Sequence, residues 1–218
     1  MAEKRILKDL HILDTNKQDL EKRNVYYHIN QDNIYELLVL IIPNEEPYKG
    51  GAFLFEFKLP TDYPLSPPKV IFNPKQSFAR LHPNFYENGK VCLSVINTWG
   101  GEDWTASMNI LNIIIILEAR FDNNPICYEP GNEHPSVAVT TNYNETVRYG
   151  VYLSLCNILE KKYKLYECFY DIIKQYHKDI CEIIKTKILL VKKIRQPHYY
   201  HIITIDYQLI YDRLYVIK

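Results

Sequence analysis

The sequence predicts an α+β fold, with an N-terminal helix, a four-stranded antiparallel meander, a central helix and then C-terminal helices. Apolar residues within positions 2–14 recur every three or four residues, which is typical of an amphipathic helix. Between residues 24 and 72 apolar residues alternate in short segments separated by turn residues, which indicates antiparallel strands. After residue 108 the spacing returns to that of helices. Helices and strands are therefore segregated along the chain, as in α+β proteins.

The first predicted helix, residues 2–14, has an apolar and a basic side. Its apolar positions are Ile6, Leu7, Leu10 and Leu13. The basic residues near the opposite side are Lys4, Arg5 and Lys8. This pattern predicts an amphipathic helix that lies on a sheet.

Four segments are predicted to form the strands. They are residues 24–29, 34–42, 52–59 and Val70–Phe72. In the third segment Phe53, Phe55 and Phe57 alternate, so their rings are expected on one face. Short links between successive segments make hairpins, and consecutive hairpins make an antiparallel meander.

A proline-rich loop joins the third and fourth strands. Its prolines, which cannot sit in a central strand, are Pro60, Pro64, Pro67 and Pro68. Leu65 stands at the tip of this loop. An exposed apolar side chain on a stiff loop is a plausible anchor for a partner protein. The alternative is that Leu65 folds back on the protein and contributes only to packing.

A strongly apolar segment, residues 108–119, is predicted to be the central helix. Its expected buried stripe is formed by Ile110, Leu111, Ile114 and Leu117. The residues that widen this stripe are Ile113, Ile115 and Ile116. A helix that is apolar nearly all round must be covered on more than one side.

The C-terminal third is predicted to be mainly helical. The chain breaks at Asn124-Pro125 and at Pro130-Gly131. Helical spacing then covers residues 145–162 and 165–190, and Pro197 ends the second helix. The last segment, 202–217, is apolar and tyrosine-rich and fits either a helix or a strand.

The charge is balanced overall but unevenly distributed. The net charge is zero, so no global field draws the chain to DNA or membranes. Residues 151–218 nevertheless carry a net charge of +5. Basic residues of this part include Lys161, Lys162, Lys164, Lys192, Lys193 and Arg195. They fit either a solvated helix face or a nucleic-acid contact, although no DNA-reading motif is recognisable.

The cysteine pattern argues against secretion and against metal binding. The five cysteines form an odd set without a CxxC pair, and no His or Cys cluster has metal-ligand spacing. The amino terminus lacks the apolar region of a signal peptide. The longest apolar run, Ile113–Leu117, is too short to span a bilayer. We therefore expect a cytoplasmic or nuclear protein with reduced thiols.

The most informative stretch of the chain runs from His82 to Trp104. It contains an Asn88-Gly89 pair, which readily forms a tight turn, and then Cys92. Asn84 lies eight positions before Cys92. A thiol can carry an acyl group, and a nearby carboxamide can stabilise the oxyanion, so together they suit acyl transfer. This chemistry requires an accessible sulfur; the alternative is that Cys92 is a buried core thiol.

The same stretch resembles the active-site segment of ubiquitin-conjugating enzymes, in which His-Pro-Asn precedes the thioester cysteine by this spacing. Upstream, Tyr48–Phe72 reads YKGGAFLFEFKLPTDYPLSPPKVIF and resembles the Gly-Gly strand, Tyr-Pro turn and Pro-Pro-x-Val strand of that family. The resemblance implies the ubiquitin-conjugating fold. It implies a catalytic core in residues 1–145 and a helical C-terminal extension in residues 146–218.

The resemblance also implies a role for each residue of the motif. Cys92 would accept ubiquitin as a thioester and pass it to lysine amines of target proteins, with or without a ligase. Asn84 would stabilise the oxyanion, and His82 would order the loop that holds Asn84 rather than act as a base. Non-catalytic, ubiquitin-binding variants of this fold lack the cysteine, which is present here.

The partners that the resemblance implies are ubiquitin, the ubiquitin-activating enzyme, ubiquitin ligases and protein substrates. The residues that match the activating-enzyme contact are Lys4, Arg5 and Lys8. Those that match the ligase-docking loops are Pro64, Leu65, Trp104 and Ala106. No cofactor is expected, because the activating enzyme is the partner that uses ATP.

The chain departs from the common family pattern at three places. Ser94 stands where many members have Asp, and Trp104-Thr105-Ala106 lacks the usual proline. Asn124-Pro125 is followed by Ile126 rather than by acidic residues, so the carboxylate that often positions the lysine is unassigned. Its candidates are Asp122 and Glu129. A subgroup of larger conjugating enzymes shares segments such as Thr98-Trp99-Gly100, Glu129-Pro130-Gly131, Asn142-Tyr143-Asn144-Glu145 and Asp206-Tyr207-Gln208.

Overall fold

A computed structural model describes most of the chain. The described residues are 2–74, 80–161, 163–188, 191–195, 199 and 202–217. Of these, the side chains of Lys161 and Arg195 lie outside the description.

The chain forms two compact units, each assembled from separate segments. The first unit takes Met1–Ile41, Phe53–Asn73 and Asn84–Phe121. The second takes Ile42–Ala52, Pro74–Pro83 and Asp122–Lys218.

The described residues of the first unit form three α-helices and a four-stranded sheet. Its helices are α1 (Ala2–Thr15), α2 (Lys17–Lys22) and α3 (Ile110–Glu118). Its strands are β1 (Val25–Ile29), β2 (Glu36–Ile41), β3 (Phe53–Lys58) and β4 (Lys69–Phe72). The strands are antiparallel in the order β1-β2-β3-β4, which confirms the predicted meander.

The sheet buries one face against an aromatic cluster. Phe53, Phe55 and Phe57 are buried, as the alternation of β3 predicts. The ring centroid of Phe55 lies 5.1 Å from that of Phe85 and 5.4 Å from that of Phe72. Aromatic pairs at these separations stabilise a core beyond the area that they bury. The cluster thereby ties the segment that follows Asn84 to the sheet.

The buried side of α1 is narrower than its apolar residues suggest. Ile6 and Leu13 are buried, but Leu7 is exposed, so its assignment to the covered apolar side of the helix is wrong. Successive residues are about 100° apart around a helix, which places Leu7 outside the stripe through Ile6 and Leu13. Asp9 occupies a buried position instead.

The central helix, α3, is covered over most of its circumference. Ile110, Ile113, Ile114 and Leu117 are buried. Leu111 and Ile116, on opposite sides of that stripe, are half-buried, so the helix is covered on more than one side; Ile115 is exposed, so its place in the widened stripe is wrong. The helix begins with a capping box, in which the side chains of Asn109 and Asn112 each accept from the other's backbone N–H.

In the described part of the second unit there are three α-helices and a β-hairpin. Its helices are α4 (Val137–Lys161), α5 (Tyr170–Lys185) and α6 (Tyr207–Val216). Its strands are β5 (Val191–Arg195) and β6 (Ile202–Asp206), which pair antiparallel. Two short 3₁₀ helices of this unit cover Pro125–Tyr128 and Lys164–Phe169. Another short 3₁₀ helix, Ser94–Ile96, lies in the first unit.

Several predicted boundaries in the second unit differ from the structure. α4 begins at Val137, so the predicted domain boundary at residue 145 falls inside a continuous helix. The predicted helix over 165–190 is a 3₁₀ helix followed by α5, which ends at Lys185. Segment 202–217 contains both a strand and a helix. The division into a catalytic core and an extension stays a prediction.

Tyrosines supply much of the second unit's core. Tyr143, Tyr152, Tyr166 and Tyr207 are almost completely buried. The hydroxyl of Tyr207 donates to Glu145 Oε1 at 2.7 Å, which satisfies its polar end within the core. Among the described helices, none is both long and apolar enough to cross a membrane.

Candidate active site

The segment that leads to Cys92 is held against β4 by a tight turn. Gly89 has a φ of +90°, as the Asn88-Gly89 pair predicts, and a side chain there would approach the carbonyl oxygen of Phe72 to 3.0 Å. The Phe72 N–H donates to the Gly89 carbonyl at 2.9 Å. Lys90 pairs with Ile71, so the chain runs alongside β4 immediately before the cysteine.

Asn84 and Cys92 are brought together by a backbone hydrogen bond. The Cys92 N–H donates to the Asn84 carbonyl oxygen at 2.9 Å. A second pairing, between Phe85 and Val91, closes the same loop. The eight-residue spacing therefore places the two residues side by side. The role of the Asn84 carboxamide stays a prediction.

The Cys92 thiol is less accessible than we expected. The residue is only 2% exposed, and its neighbours Val91 and Leu93 are buried too. The reason is that residues 91–93 continue the apolar core rather than a surface loop. A reactant therefore meets very little exposed surface at this residue.

Thr98 holds the chain directly after Cys92, a contact that the sequence analysis missed. Its Oγ1 accepts from the Leu93 N–H at 2.9 Å and donates to the Leu93 carbonyl at 3.0 Å. The Thr98 N–H also donates to that carbonyl, at 3.2 Å. Asn97, in the left-handed region with φ +56°, accepts from the Trp104 N–H at 2.8 Å. Thr98 therefore fixes the loop over 97–104 to Leu93, the residue next to Cys92.

The predicted docking loop presents Leu65 to solvent. Leu65 is 75% exposed, which contradicts the alternative that it folds back on the protein. The Trp104 Nε1–H donates to the Pro64 carbonyl at 2.8 Å, and the rings of Trp104 and Tyr63 are 5.9 Å apart. Trp104 is nearly buried and acts as a brace between the two predicted docking loops.

The three basic residues of α1 do not share one environment. Lys4 and Lys8 are exposed. The Arg5 guanidinium donates to Asp9 Oδ1 at 2.8 Å and to the Ala106 carbonyl at 2.6 Å, and it also donates to the Met108 carbonyl. Arg5 therefore ties α1 to the segment after Trp104, while Lys4 and Lys8 remain available to a partner.

Asp9 receives a second donor from the docking loop. The Tyr63 hydroxyl donates to Asp9 Oδ2. Burial, and then the Asp9 carboxylate, raise the pKa of Tyr63 well above its ordinary value, so this hydroxyl remains protonated and keeps donating. Asp9 thus joins α1 to the loop that carries Leu65.

In the second unit, His82 is enclosed by aromatic rings. It is fully buried, and its ring centroid lies 5.2 Å from that of Tyr128 and 6.0 Å from that of Tyr48. The Tyr48 hydroxyl donates to the Leu81 carbonyl at 2.8 Å, which fixes the chain beside His82. This environment suits a residue that shapes the backbone.

The two candidate carboxylates, Asp122 and Glu129, both accept hydrogen bonds from tyrosines. Asp122 Oδ2 accepts from the Tyr128 hydroxyl at 2.7 Å. Glu129 Oε2 accepts from the Tyr199 hydroxyl at 2.6 Å. Nearby, burial and then the charges of Asp122 and Glu133 raise the pKa of the Cys127 thiol, so it is a poor nucleophile.

The basic residues of the C-terminal part are only partly described. Lys164, Lys192 and Lys193 are exposed. The side chains of Lys161, Lys162 and Arg195 lie outside the described residues. The nucleic-acid alternative therefore stays untested.

Comparison with protein families gives one family model that covers the site. The model described as ubiquitin-conjugating enzyme matches residues 5–149. The match contains Asn84, Cys92 and the docking loop, and it ends inside α4.

Named relatives are similar over the same stretch. Ubiquitin-conjugating enzyme E2 Z of Danio rerio is 38% identical over 138 residues, which are 61% of this chain and 42% of that protein. E2 Z of Homo sapiens is 40% identical over 125 residues, 55% of this chain and 35% of that protein. The chain thus spans less than half the length of these relatives.

A third relative extends into the C-terminal part. Probable ubiquitin-conjugating enzyme E2 23 of Arabidopsis thaliana is 29% identical over 187 residues, 84% of this chain and 16% of that protein. The similarity therefore reaches beyond the stretch that the family model matches.

Proposed function

Because the chain belongs to the family of ubiquitin-conjugating enzymes, we propose that it carries ubiquitin as a thioester on Cys92 and transfers it to lysine amines of target proteins. The observation that carries the proposal is the hydrogen bond from the Cys92 N–H to the Asn84 carbonyl, 2.9 Å long. It sets a carboxamide residue beside the only thiol in the family motif. A carboxamide beside the thiol supports acyl transfer, because its N–H groups can stabilise the oxyanion.

The reaction has two acyl transfers. In the first, the Cys92 sulfur attacks the thioester of the activating enzyme, so a new carbon–sulfur bond forms and that enzyme's thiolate leaves. In the second, a lysine amine attacks the Cys92 thioester, an isopeptide bond forms, and Cys92 leaves as a thiolate. The amine loses a proton to solvent or to a nearby base. Because a thioester is already activated, no strong base is needed.

Asn84 is the proposed stabiliser of the oxyanion in the second transfer. Removal of one such donor generally costs about 3–4 kcal/mol of transition-state stabilisation. The backbone bond to Cys92 supports this assignment, because it keeps Asn84 near the reacting carbonyl. His82 is proposed to position the loop that carries Asn84, since a fully buried imidazole between two rings is poorly placed to exchange protons with solvent.

Loading of Cys92 is proposed to involve local opening of the segment around it. The 2% exposure of the residue leaves little room for a ubiquitin carboxyl terminus. The loop over 97–104 is the nearest candidate for movement along the chain, because Thr98, Trp99 and Gly100 are exposed. Its Thr98 contacts limit how far the residue after Cys92 can move.

The proposed partners are ubiquitin, the activating enzyme, ubiquitin ligases and protein substrates. The exposed Lys4 and Lys8 are proposed to meet the activating enzyme. Leu65, with the adjacent Pro64, is proposed to dock on ligases. Arg5, Trp104 and Ala106 would support these surfaces through the contacts described above. The relatives called E2 Z and E2 23 support a conjugating role without naming a substrate.

The proposed compartment is the cytoplasm or nucleus. Five cysteines are free, and a thioester cycle requires a reduced catalytic thiol. The proposed cycle needs no bound cofactor, because the activating enzyme uses the ATP.

A charging assay tests the proposal. The chain would be incubated with activating enzyme, ATP and ubiquitin, and the products separated with and without reductant. We expect a reducible adduct in the wild type, none in Cys92→Ala, and an intact adduct in Cys168→Ala, where the cysteine is exposed but outside the motif. Absence of an adduct with ubiquitin and with several ubiquitin-like proteins would refute the proposal.

A further inference from the structure

A cleft of about 470 Å³ lies within the first unit, along the segment that leads to Cys92. Its walls come from the proline loop with β4, from the Asn88-Gly89 turn, and from residues on both sides of Cys92. The apolar part of its lining includes Pro67, Pro68, Val70, Ile71, Val91 and Ile96. Clefts of this size and composition accommodate several side chains of a ligand.

Two exposed lysines, Lys69 and Lys90, also line this cleft. Lys90 pairs with Ile71, and Lys69 lies two residues earlier on β4 than Ile71. Alternate residues of a strand share a face, and so do directly paired residues. Lys69 and Lys90 therefore belong to the same face as Ile71.

A third lysine extends this positive face. Lys58 of β3 is exposed and directly opposite Lys69. Like charges opposite each other destabilise a sheet, so folding gains nothing from this pair. Glu56 lies on the same face, and its Oε1 accepts from Asn73 Nδ2 at 2.7 Å. Among the ion pairs formed by the described residues, none includes Lys58, Lys69 or Lys90.

We propose that this cleft binds an acidic, partly apolar segment of the protein to be modified, and so presents a nearby lysine of that protein to the thioester on Cys92. The proposal rests on the proposed function. Apolar side chains of the segment would pack on the half-buried Pro67 and Ile71, and its carboxylates or phosphates would pair with Lys69 and Lys90. The cleft is also lined by Val91, which immediately precedes Cys92, so a segment held in the cleft is close to the reacting centre.

The lining favours an acidic protein segment over other ligands. A basic segment would meet the lysines with like charge. Single-stranded nucleic acids are held largely by stacking of bases on aromatic rings, and the described residues that line the cleft include no aromatic side chain. An apolar floor with a positive rim matches a segment that has both apolar and acidic side chains.

Single-turnover discharge of purified thioester tests this inference. Preformed Cys92–ubiquitin thioester of the full chain would be mixed with acceptor peptides that contain one lysine, one apolar neighbour and two glutamates. A matched peptide would have glutamines in place of the glutamates. We expect discharge about fivefold faster with the glutamate peptide at low salt, because an exposed ion pair contributes only modest binding energy. The difference should be smaller at about 0.5 M salt, because salt screens the attraction between exposed charges.

Charge-reversal variants identify the surface. The double variant Lys69→Glu/Lys90→Glu is expected to lose the preference for glutamate and to favour a matched arginine peptide. Lys17→Glu, an exposed lysine of α2 outside the cleft, is the matched control and should keep the wild-type preference. Equal rates with glutamate and glutamine peptides, or an unchanged preference in the double variant, would overturn the proposal.

Direct binding separates this inference from the proposed function. Fluorescence anisotropy can measure binding of the labelled glutamate peptide to the Cys92→Ala chain, which carries no ubiquitin, so this measurement requires no thioester. We expect at least fivefold weaker binding for the same chain with Lys69→Glu/Lys90→Glu. If no thioester forms but peptide binding still depends on Lys69 and Lys90, the enzymatic role alone is refuted. Equal binding by both chains, or displacement of the peptide by single-stranded nucleic acid, would refute the cleft as a site for acidic protein segments.

Discussion

Cys92 and Asn84 show how a backbone contact can place the two residues of a proposed reactive pair side by side. The carbonyl of Asn84 accepts from the Cys92 N–H, so the pair depends on main-chain geometry rather than on side-chain attraction. Because Cys92 is nearly buried, its neighbours also control access to the sulfur. Substitution of Asn84 therefore removes a functional group without removing the bond that sets its position.

Asn84→Ala is expected to leave thioester formation largely intact and to slow lysine transfer by about 10²–10³-fold, the effect of losing one oxyanion donor. Single-turnover loading and discharge would be measured separately on the same preparation. Equal melting temperatures would establish that the fold is unchanged. The assigned role is wrong if transfer proceeds at the wild-type rate.

Close packing around Gly50 leaves no room for a side chain at this position. The residue has a φ of +75°, and a Cβ there would lie 2.1 Å from Ile180 Cδ1 on α5. Both residues belong to the second unit, so α5 packs directly on the loop around Gly50. Gly131 also has a positive φ, of +83°, but its Cβ would meet no atom within 4 Å.

Gly50→Ala is expected to lower the free energy of unfolding by about 2–4 kcal/mol, because backbone strain and overpacking add. Gly131→Ala, the matched control, should lose only about 1–2 kcal/mol from backbone strain. Urea denaturation of both variants measures the difference. Equal losses at the two positions would show that Ile180 does not restrict Gly50.

At the scale of elements, α1 and two loops of the first unit form one hydrogen-bonded assembly. Arg5 links α1 to the carbonyls of Ala106 and Met108, and Asp9 accepts from the Tyr63 hydroxyl. Trp104 closes the assembly by donating to Pro64. The loop that carries Leu65 is thereby held at both ends while its tip remains exposed.

Leu65→Asp is expected to spare thioester formation and to reduce ligase-dependent transfer by tenfold or more, because an exposed apolar anchor is lost while its supporting contacts remain. Loading would be compared with ligase-stimulated discharge. Val137→Asp, at an exposed apolar position of α4, is the matched control. Unchanged stimulation by every ligase tested would leave Leu65 without a docking role.

At the scale of the whole molecule, the chain after residue 149 belongs to the fold of the second unit. Arg148 donates to Glu46 Oε2 at 2.6 Å and to Glu145 Oε2 at 2.8 Å. Burial alone would lower the pKa of Arg148, but the bond to Glu46 raises it, so the guanidinium remains charged. Tyr207 of α6 donates to Glu145, which joins the end of the chain to the same network.

A chain shortened to residues 1–149 is therefore expected to lose cooperative unfolding in its second unit. The truncation would expose apolar side chains of α4 and of the segments that pack on it. Burial of each large apolar side chain contributes about 1.5–3 kcal/mol to the stability of the fold. Thermal melting and hydrogen exchange of Tyr48–Gly51 would measure the effect. A shortened chain with full-length melting temperature and protection would contradict it.

Much of the first unit was predictable because its signals are local. Alternation in Phe53–Lys58 requires a two-sided strand, and Asn88-Gly89 supplies the positive φ of a tight turn. The prolines around Leu65 exclude a strand, and Leu65 is exposed as predicted. The hairpin of β5 and β6 was not predicted, because the basic residues of β5 hide its alternation.

The sequence by itself determined the family, the meander and the identity of the pair Asn84 and Cys92. Each depends on residue types at short spacings. Only the tertiary structure decided that Cys92 is nearly buried, that Arg5 donates to Ala106 and Met108, and that Thr98 holds Leu93. The burial and the Arg5 contacts arise where segments distant in the chain pack together. The Thr98 contacts follow a residue, Asn97, in the left-handed conformation, which Asn tolerates well but which the residue type alone does not fix.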